Sequence, residues 1–595
     1  MKTLAYLFAL IVVSYQENTP ILTIPDGQLE GSIRQTVDLN KTYYAFRGIP
    51  YAQPPVGNLR FSENVPILTI PDGQLEGSIR QTVDLNKTYY AFRGIPYAQP
   101  PVGNLRFSNP VKNDPWAGVL DATNDKSSCV QAGGSDVIGQ EDCLYINVYT
   151  PNLNDSLPVM VWFHGGGFIG GSSSYENFAP DYFLEQGVIY VAFNYRLGVF
   201  GFLSTNDSTA SGNWGLKDQV LALQWTKENI KYFGGDPEKI TIFGQSAGAA
   251  SVSYMLQAPQ TKGLYRAAIM QSGHSLCLWS LTRNARNTAF QLGLLLGVSA
   301  SDSDELISQL RDVDASKLQG AQSNLTLTKI VLETVLAGLA FGPVTELESN
   351  DSVVTGKSHE QISNGTFQQV PILMGFNSKE AVLLDNFVDF ARQMYYIYDI
   401  AAYRIAPYDL TTSITDRYFV GQQIKNYYSY NSSLTNYPEA FTNIFSIDQF
   451  NRPIREAVQQ FLNYVEVYFY EFSYEGELGY PDRQYPGKGV GHAEDLHYFF
   501  VSNNSATDDD LEVRRKLVLM WTNFAKYLNP TPDESVDKLD GVVWPANSPD
   551  TNITQGIQYL DINKLLSARL NPDQSNWNFY KEFYDQYGMP PYDTY

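Results

Sequence analysis

The chain has 595 residues, and 63 acidic side chains outnumber 41 basic ones for a formal net charge of -22. A surplus of that sign and size argues against nucleic acid or an anionic membrane surface as a partner. Length alone suggests several domains, but strands and motifs interleave from residue 63 onward as they do in one large α/β domain, and a hydrophobic content of 43% is ample for its core.

Lys2 is followed by ten apolar residues, Leu4–Val13, and then by Val12-Val13-Ser14 as a cleavage site. Residues 1–14 therefore read as a signal peptide, too short to span a bilayer. No later apolar stretch approaches twenty residues, and the tail Met589–Tyr595 does not fit a lipid-anchor signal. The expectation is a secreted, extracellular chain without a membrane anchor. Ten Asn-x-Ser/Thr sequons, among them Asn86, Asn154, Asn206, Asn324, Asn350, Asn364, Asn431, Asn503 and Asn552, then suggest a glycoprotein.

Residues 17–62 and 63–108 are tandem copies of 46 positions that differ only at Thr19 and Val65. Each copy holds a hairpin-like segment and an Arg-Gly-Ile-Pro-Tyr loop. The second runs directly into Asn109-Pro110-Val111. Docking the first copy instead would loop out the second, at roughly 3 kcal/mol of closure entropy. The second copy is therefore expected in the fold and the first outside it.

The chemistry begins at Val159–Phe168, a buried strand that runs into Gly165-Gly166-Gly167. Residues without side chains let backbone N–H groups converge on one spot, which acyl transfer requires because the carbonyl oxygen becomes an anion in the transition state. Ile240–Gly248 is a second apolar run, ending abruptly in Gly244-Gln245-Ser246-Ala247-Gly248, and helix is expected from Ala249 to Gln257. A serine on so sharp a strand-to-helix turn has an exposed hydroxyl, and Gly244 and Gly248 leave room for the turn to close. Ser246 thus reads as the nucleophile of an ester hydrolase.

A serine nucleophile needs a base and an orienting acid, in the chain order serine, acid, histidine. Of five histidines, His492 lies in the glycine-rich Gly489–Asp495 after the strand-like Val465–Phe472. His164 belongs to the glycine loop, His274 follows the strand after the nucleophile, His359 reads as solvated and His497 as a packing residue. His492 is the expected base. Val370–Gly375 reads as a strand, and Glu380 on the loop after it is either the acid or a solvated loop carboxylate.

The stretches Phe92–Phe107, Glu141–Val148, His164–Phe168, Gly212–Gln219 and the serine turn resemble the type-B carboxylesterase and cholinesterase family, and within it the secreted insect esterases. The resemblance spans about residues 66 to 588. It implies an α/β-hydrolase fold over 63–595, a large, mostly parallel twisted sheet with helices on both faces. It places the triad on Ser246, Glu380 and His492 and the oxyanion donors on Gly166, Gly167 and Ala247, with Ser272 and Asp495 around the triad. It also implies ion pairs Arg106–Glu141 and Arg196–Asp218, a disulfide Cys129–Cys143 that leaves Cys277 free, and an acyl pocket at Leu276, Cys277 and Trp279. Ala381 departs from the pattern, which has glycine after the acid.

The resulting mechanism needs no metal or cofactor, and its partner is a small-molecule ester. Activity is expected to fall as pH drops below the working pKa of His492, which starts from roughly 6.5 before its surroundings act on it. Gln245 stands where cholinesterases carry glutamate, and the interval between Cys129 and Cys143 contains no tryptophan to bind a quaternary ammonium by cation–π attraction. A neutral, apolar ester is favoured over a choline ester. Arg106-Phe107, Asp218-Gln219, the Gly-Gln-Ser-Ala-Gly-Ala turn, Glu380 and the His492–Asp495 spacing also resemble juvenile hormone esterases, the alternative reading. A non-catalytic adhesion protein on the same fold is the rival from another class, and such relatives lose the serine or the histidine.

Overall fold

The computed structural model describes residues 21–24, 27–30, 32–35, 42–46, 65–134, 136–332, 338–382, 395–410, 412–479, 489–549 and 556–588. The expected signal segment 1–14, the tail 589–595 and Asn552 lie outside them. Two compact units emerge, Met1–Val65 and Pro66–Tyr595.

In the first unit Ile21–Ile24 pairs antiparallel with Gly27–Glu30, and Ser32–Gln35 with Thr42–Ala45. The second copy of the repeat forms the same hairpins in the same register, Ile67–Ile70 with Gly73–Glu76 and Ser78–Gln81 with a strand starting at Thr88. Identical local sequence gives identical local pairing. In the second copy that last strand continues to Pro96 and joins a large sheet.

That sheet has eleven strands. In chain order they are β1 Ser78–Gln81, β2 Thr88–Pro96, β3 Tyr145–Thr150, β4 Leu157–Phe163, β5 Ile189–Phe193, β6 Gly235–Gln245, β7 Ala267–Gln271, β8 Ile372–Asn377, β9 Val467–Phe472, β10 Gln558–Ile562 and β11 Leu566–Leu570. Their spatial order is β11-β10-β9-β8-β7-β6-β4-β5-β3-β2-β1. Strands β5 through β10 of this order run parallel, and the strands at both ends are antiparallel. Strand β6 is the elongated form of the apolar run read from the sequence.

Alternate side chains of β4 enter two different cores. Val159, Val161 and Phe163 face one, with Ile240 and Ile242 of β6, and Met160 and Trp162 face the other, with Phe243. A parallel sheet buried on both faces reads as such a continuous apolar run. Helix α1 (Trp214–Asn229) supplies Trp225 and Leu223 to the first core. Helix α5 (Asp508–Tyr527) supplies Val513, Leu517, Trp521 and Phe524 to the second, the helical spacing of one buried face. A capping box starts α5: Thr507 accepts from the N–H of Asp510, whose carboxylate accepts from the N–H of Thr507. Helix α2 (Ala247–Gln257) begins immediately after the serine, α3 (Ile414–Ser429) and α6 (Gln574–Tyr587) share a third core, and α4 (Arg452–Phe461) lies against the first. No helix of the described residues is long and apolar enough to cross a membrane.

Both expected ion pairs are present. Arg106 grips Glu141 with two nitrogens and also donates to the carbonyls of Arg311 and Val313 at 2.8 and 2.6 Å. Arg196 meets Asp218 at 2.8 and 2.7 Å in full burial. Cys129 and Cys143 are disulfide-bonded, and Cys277 is free and buried.

Candidate active site

In a parallel sheet, loops after the carboxyl ends of neighbouring strands converge on one edge, which is where such folds build sites. Four of them do so here: the glycine loop after β4, Ser246 after β6, Glu380 after β8 and His492 beyond β9.

Ser246 has φ 58° and ψ −125°, a conformation L-residues rarely adopt. Its N–H donates to the carbonyl of Gln271 at 2.8 Å and its carbonyl accepts from Ala250 at 3.0 Å, so β7 and α2 hold the turn from both sides. The glycines act as expected. A Cβ on Gly248 would lie 2.0 Å from the carbonyl oxygen of Phe163, and one on Gly244 would lie 2.6 Å from the backbone of Gly248.

The glycine loop is shaped by His164. Its ring stacks on Tyr195 with centroids 4.3 Å apart, and Nδ1 meets the carbonyl of Gly165 at 2.9 Å. The Tyr195 hydroxyl donates to the carbonyl of His164 at 2.8 Å. Burial lowers the His164 pKa to about 4, so the ring is neutral and its Nδ1–H donates. A peptide's C=O and N–H point in opposite directions. Fixing the Gly165 carbonyl therefore aims the Gly166 N–H the other way. Gly166 and Gly167 have φ 111° and 61°, and neither their N–H groups nor that of Ala247 meet an acceptor among the described residues. The far end of the loop is clamped by Gln131, whose amide accepts from the Gly171 N–H at 2.8 Å and donates to the Gly171 carbonyl at 2.9 Å. Gln131 sits inside the disulfide-closed loop.

His492 Nδ1 lies 2.7 Å from Glu380 Oε2, and Glu380 is fully buried. The second carboxylate oxygen accepts the N–H of Asn377 at 2.8 Å. Asn377 also donates its side-chain amide to the Gly491 carbonyl at 2.7 Å and to Asp495 at 3.2 Å, which ties the acid loop to the histidine loop. Asp495 accepts from Gln271 at 2.8 Å, and Gln271 accepts from the Trp521 indole at 3.2 Å. Burial raises the Asp495 pKa to about 6. Ser272 is buried with φ 53°, and its N–H donates to Gly375 at 2.9 Å. The departure at Ala381 is accommodated: its N–H donates to Ser446 Oγ at 2.9 Å, and the Glu380–His492 contact forms beside it.

The other nitrogen of His492 does not meet Ser246. Nε2 lies 3.3 Å from Gln245 Nε2, and no hydrogen bond joins Ser246 to His492 among the described residues.

Trp279 is partly exposed beside Phe168 and Phe450, and its indole donates to the Gln449 carbonyl at 3.0 Å. Phe450 also packs on His492 with centroids 4.7 Å apart, carried on a π-helical turn at Ile447–Asn451. Leu276 and Cys277 are fully buried, and burial raises the Cys277 thiol pKa far above its usual value. His274 is buried against Ser253 Oγ at 3.0 Å. The sequence reading of His359 as solvated needs correction: it is half-buried, 3.9 Å from Glu456, with its pKa lowered by burial. His497 is part-buried near Ser502. Sequence reasoning missed Asn377, Gln131, Gln271 and Phe450. Only Asn377, at the end of a strand before the acid loop, carried any signal.

The carboxylesterase family model matches residues 18–67 and 64–579. A juvenile hormone esterase of Tribolium castaneum is 34% identical over 593 residues, covering 93% of this chain and 90% of that protein. Venom carboxylesterase-6 of Apis mellifera is 33% identical over 596 residues, covering 96% and 95%. The crystal structure of juvenile hormone esterase from Manduca sexta, with OTFP covalently attached, superposes with a TM-score of 0.77 at 27% identity, covering 87% of this chain and 99% of that one. With its mostly parallel eleven-stranded sheet, the chain belongs to the carboxylesterase family: it has the α/β-hydrolase fold and is a carboxylic ester hydrolase.

Proposed function

We propose that the protein is a secreted serine esterase that cleaves neutral, apolar esters through Ser246, Glu380 and His492. The observation that carries this reading is the Glu380–His492 contact at 2.7 Å beside a serine held at φ 58°. In acylation Ser246 Oγ attacks the ester carbonyl and His492 Nε2 takes its proton. Glu380 fixes the Nδ1–H tautomer and stabilises the imidazolium. The carbonyl oxygen, now an anion, rests on the N–H groups of Gly166, Gly167 and Ala247, each donor of this kind being worth about 3–4 kcal/mol of barrier. His492 returns the proton to the departing alcohol, and water repeats the sequence on the acyl-enzyme.

The apolar preference is supported by the Phe168–Trp279–Phe450 wall and by the neutral amide of Gln245 next to the nucleophile. Secretion is supported by the leader-like residues 1–14 and by the sequon asparagines: the eight named ones within the described residues are all exposed. A juvenile hormone ester is the second reading, favoured by the names of the Tribolium castaneum and Manduca sexta relatives. The test is hydrolysis of a short-chain naphthyl ester and of a juvenile hormone by the wild type and by Ser246→Ala. A loss on the order of 10³ or more in the variant supports the serine mechanism, and equal turnover sinks it. Juvenile hormone turnover no faster than the naphthyl ester removes the second reading.

A further inference from the structure

The amide nitrogen of Gln245 faces Nε2 of His492. His492 Nδ1 faces the Glu380 carboxylate at 2.7 Å, so in the neutral form of the ring Nδ1 carries the proton and Nε2 is an acceptor only. A group 3.3 Å away must therefore be a donor, and Gln245 Nε2 is one. Gln245 is buried, at 2% exposure, so its amide has no water to turn to. Its seat is defined on the other side by Gly165: a Cβ there would lie 2.9 Å from Gln245 Oε1 and 2.8 Å from its backbone carbonyl. Gln245 thus bridges the glycine loop and the base.

We propose, on the reading of Ser246 and His492 given above, that Gln245 is a positioning residue that holds the base in reserve. Its amide N–H takes the Nε2 lone pair in the resting enzyme, and acylation starts when the Ser246 hydroxyl replaces it. One in-plane lone pair accepts one strong hydrogen bond, so the two donors exclude each other. Seated this way, the Gln245 N–H stabilises the neutral ring and opposes the protonated one, whose Nε2–H is itself a donor. Leucine removes that donor, and glutamate accepts but does not donate, so it favours the protonated ring.

The test is the pH dependence of kcat/KM for a naphthyl ester between about pH 5 and 9, a range that brackets imidazole titration, for the wild type, Gln245→Leu and Gln245→Glu, with Ser246→Ala as control. The acid limb is expected to move to higher pH in the order Gln, Leu, Glu, with the glutamate variant displaced by about one unit or more. Superimposable profiles for the three active proteins overturn the proposal and leave the serine mechanism standing. Persistent turnover in Ser246→Ala removes the reading on which it rests. If the variants do not fold, a crystal structure of the unliganded wild type near neutral pH decides. Gln245 Nε2 within about 3.5 Å of His492 Nε2 supports the proposal, and a Ser246–His492 bond with Gln245 turned away overturns it.

Discussion

His492 is tied to Glu380 twice: its backbone N–H donates to the Glu380 carbonyl at 2.9 Å, and its ring Nδ1 meets the same residue's carboxylate at 2.7 Å. The first bond holds the loop and the second sets the tautomer. Glu380→Gln keeps the first and corrupts the second. We expect kcat to fall about 10³–10⁴-fold with the melting temperature within a few degrees of wild type. A variant that keeps near-full kcat removes Glu380 from the triad.

The His164–Tyr195 stack controls where the Gly166 N–H points. His164→Ala frees the Gly165 carbonyl and lets that peptide rotate. Removing one oxyanion donor outright typically lowers kcat about 10²–10³-fold, so misaiming one is expected to lower it about tenfold or more with KM little changed. Steady-state kinetics on the naphthyl ester check this, and a pure KM effect would assign His164 to substrate binding instead.

Asp495 makes stability pH-dependent. Burial, the leading cause, lifts its pKa from 3.8 to about 6 in the folded chain. A carboxyl that binds its proton more tightly when folded contributes stability that is fully present below pH 3.8 and lost as pH rises towards about 6. Asp495→Asn cannot titrate, so the difference in unfolding free energy between variant and wild type should shift by about 2–3 kcal/mol in the variant's favour between pH 4 and 7. Denaturant melts at the two pH values measure it, and a constant difference contradicts it.

Residues 17–62 repeat a segment whose second copy supplies β1 and β2 to the sheet. Their deletion is expected to leave both kcat/KM and melting temperature unchanged. A loss of several degrees or of tenfold activity would give the first copy a structural role.

The sequence disclosed what local chemistry dictates. The strand-turn-helix at Ser246, the glycine loop and the histidine loop each carry a short pattern with a steric reason, and the structure reproduces all three. From the residues alone Glu380 reads as either an acid or a solvated carboxylate, because a loop glutamate looks the same whether buried or solvated, and the family resemblance is what places it in the triad. Gln131 and Phe450 stayed hidden because their partners lie 40 and 42 positions away. The absence of a Ser246–His492 bond among the described residues was hidden for a different reason: the residue that meets Nε2 instead, Gln245, is part of the motif itself, and the motif does not say where its side chain turns.

Gln131 rides on the loop that the Cys129–Cys143 bond closes, and Gln131 clamps the glycine loop at Gly171. The N–H groups proposed as oxyanion donors thereby inherit the redox history of the chain. A protein folded in a reducing cytosol would carry every triad residue yet present a slack glycine loop. Recombinant material from such a host would then be under-active for a reason that no inspection of its triad reveals, and oxidative refolding would restore it.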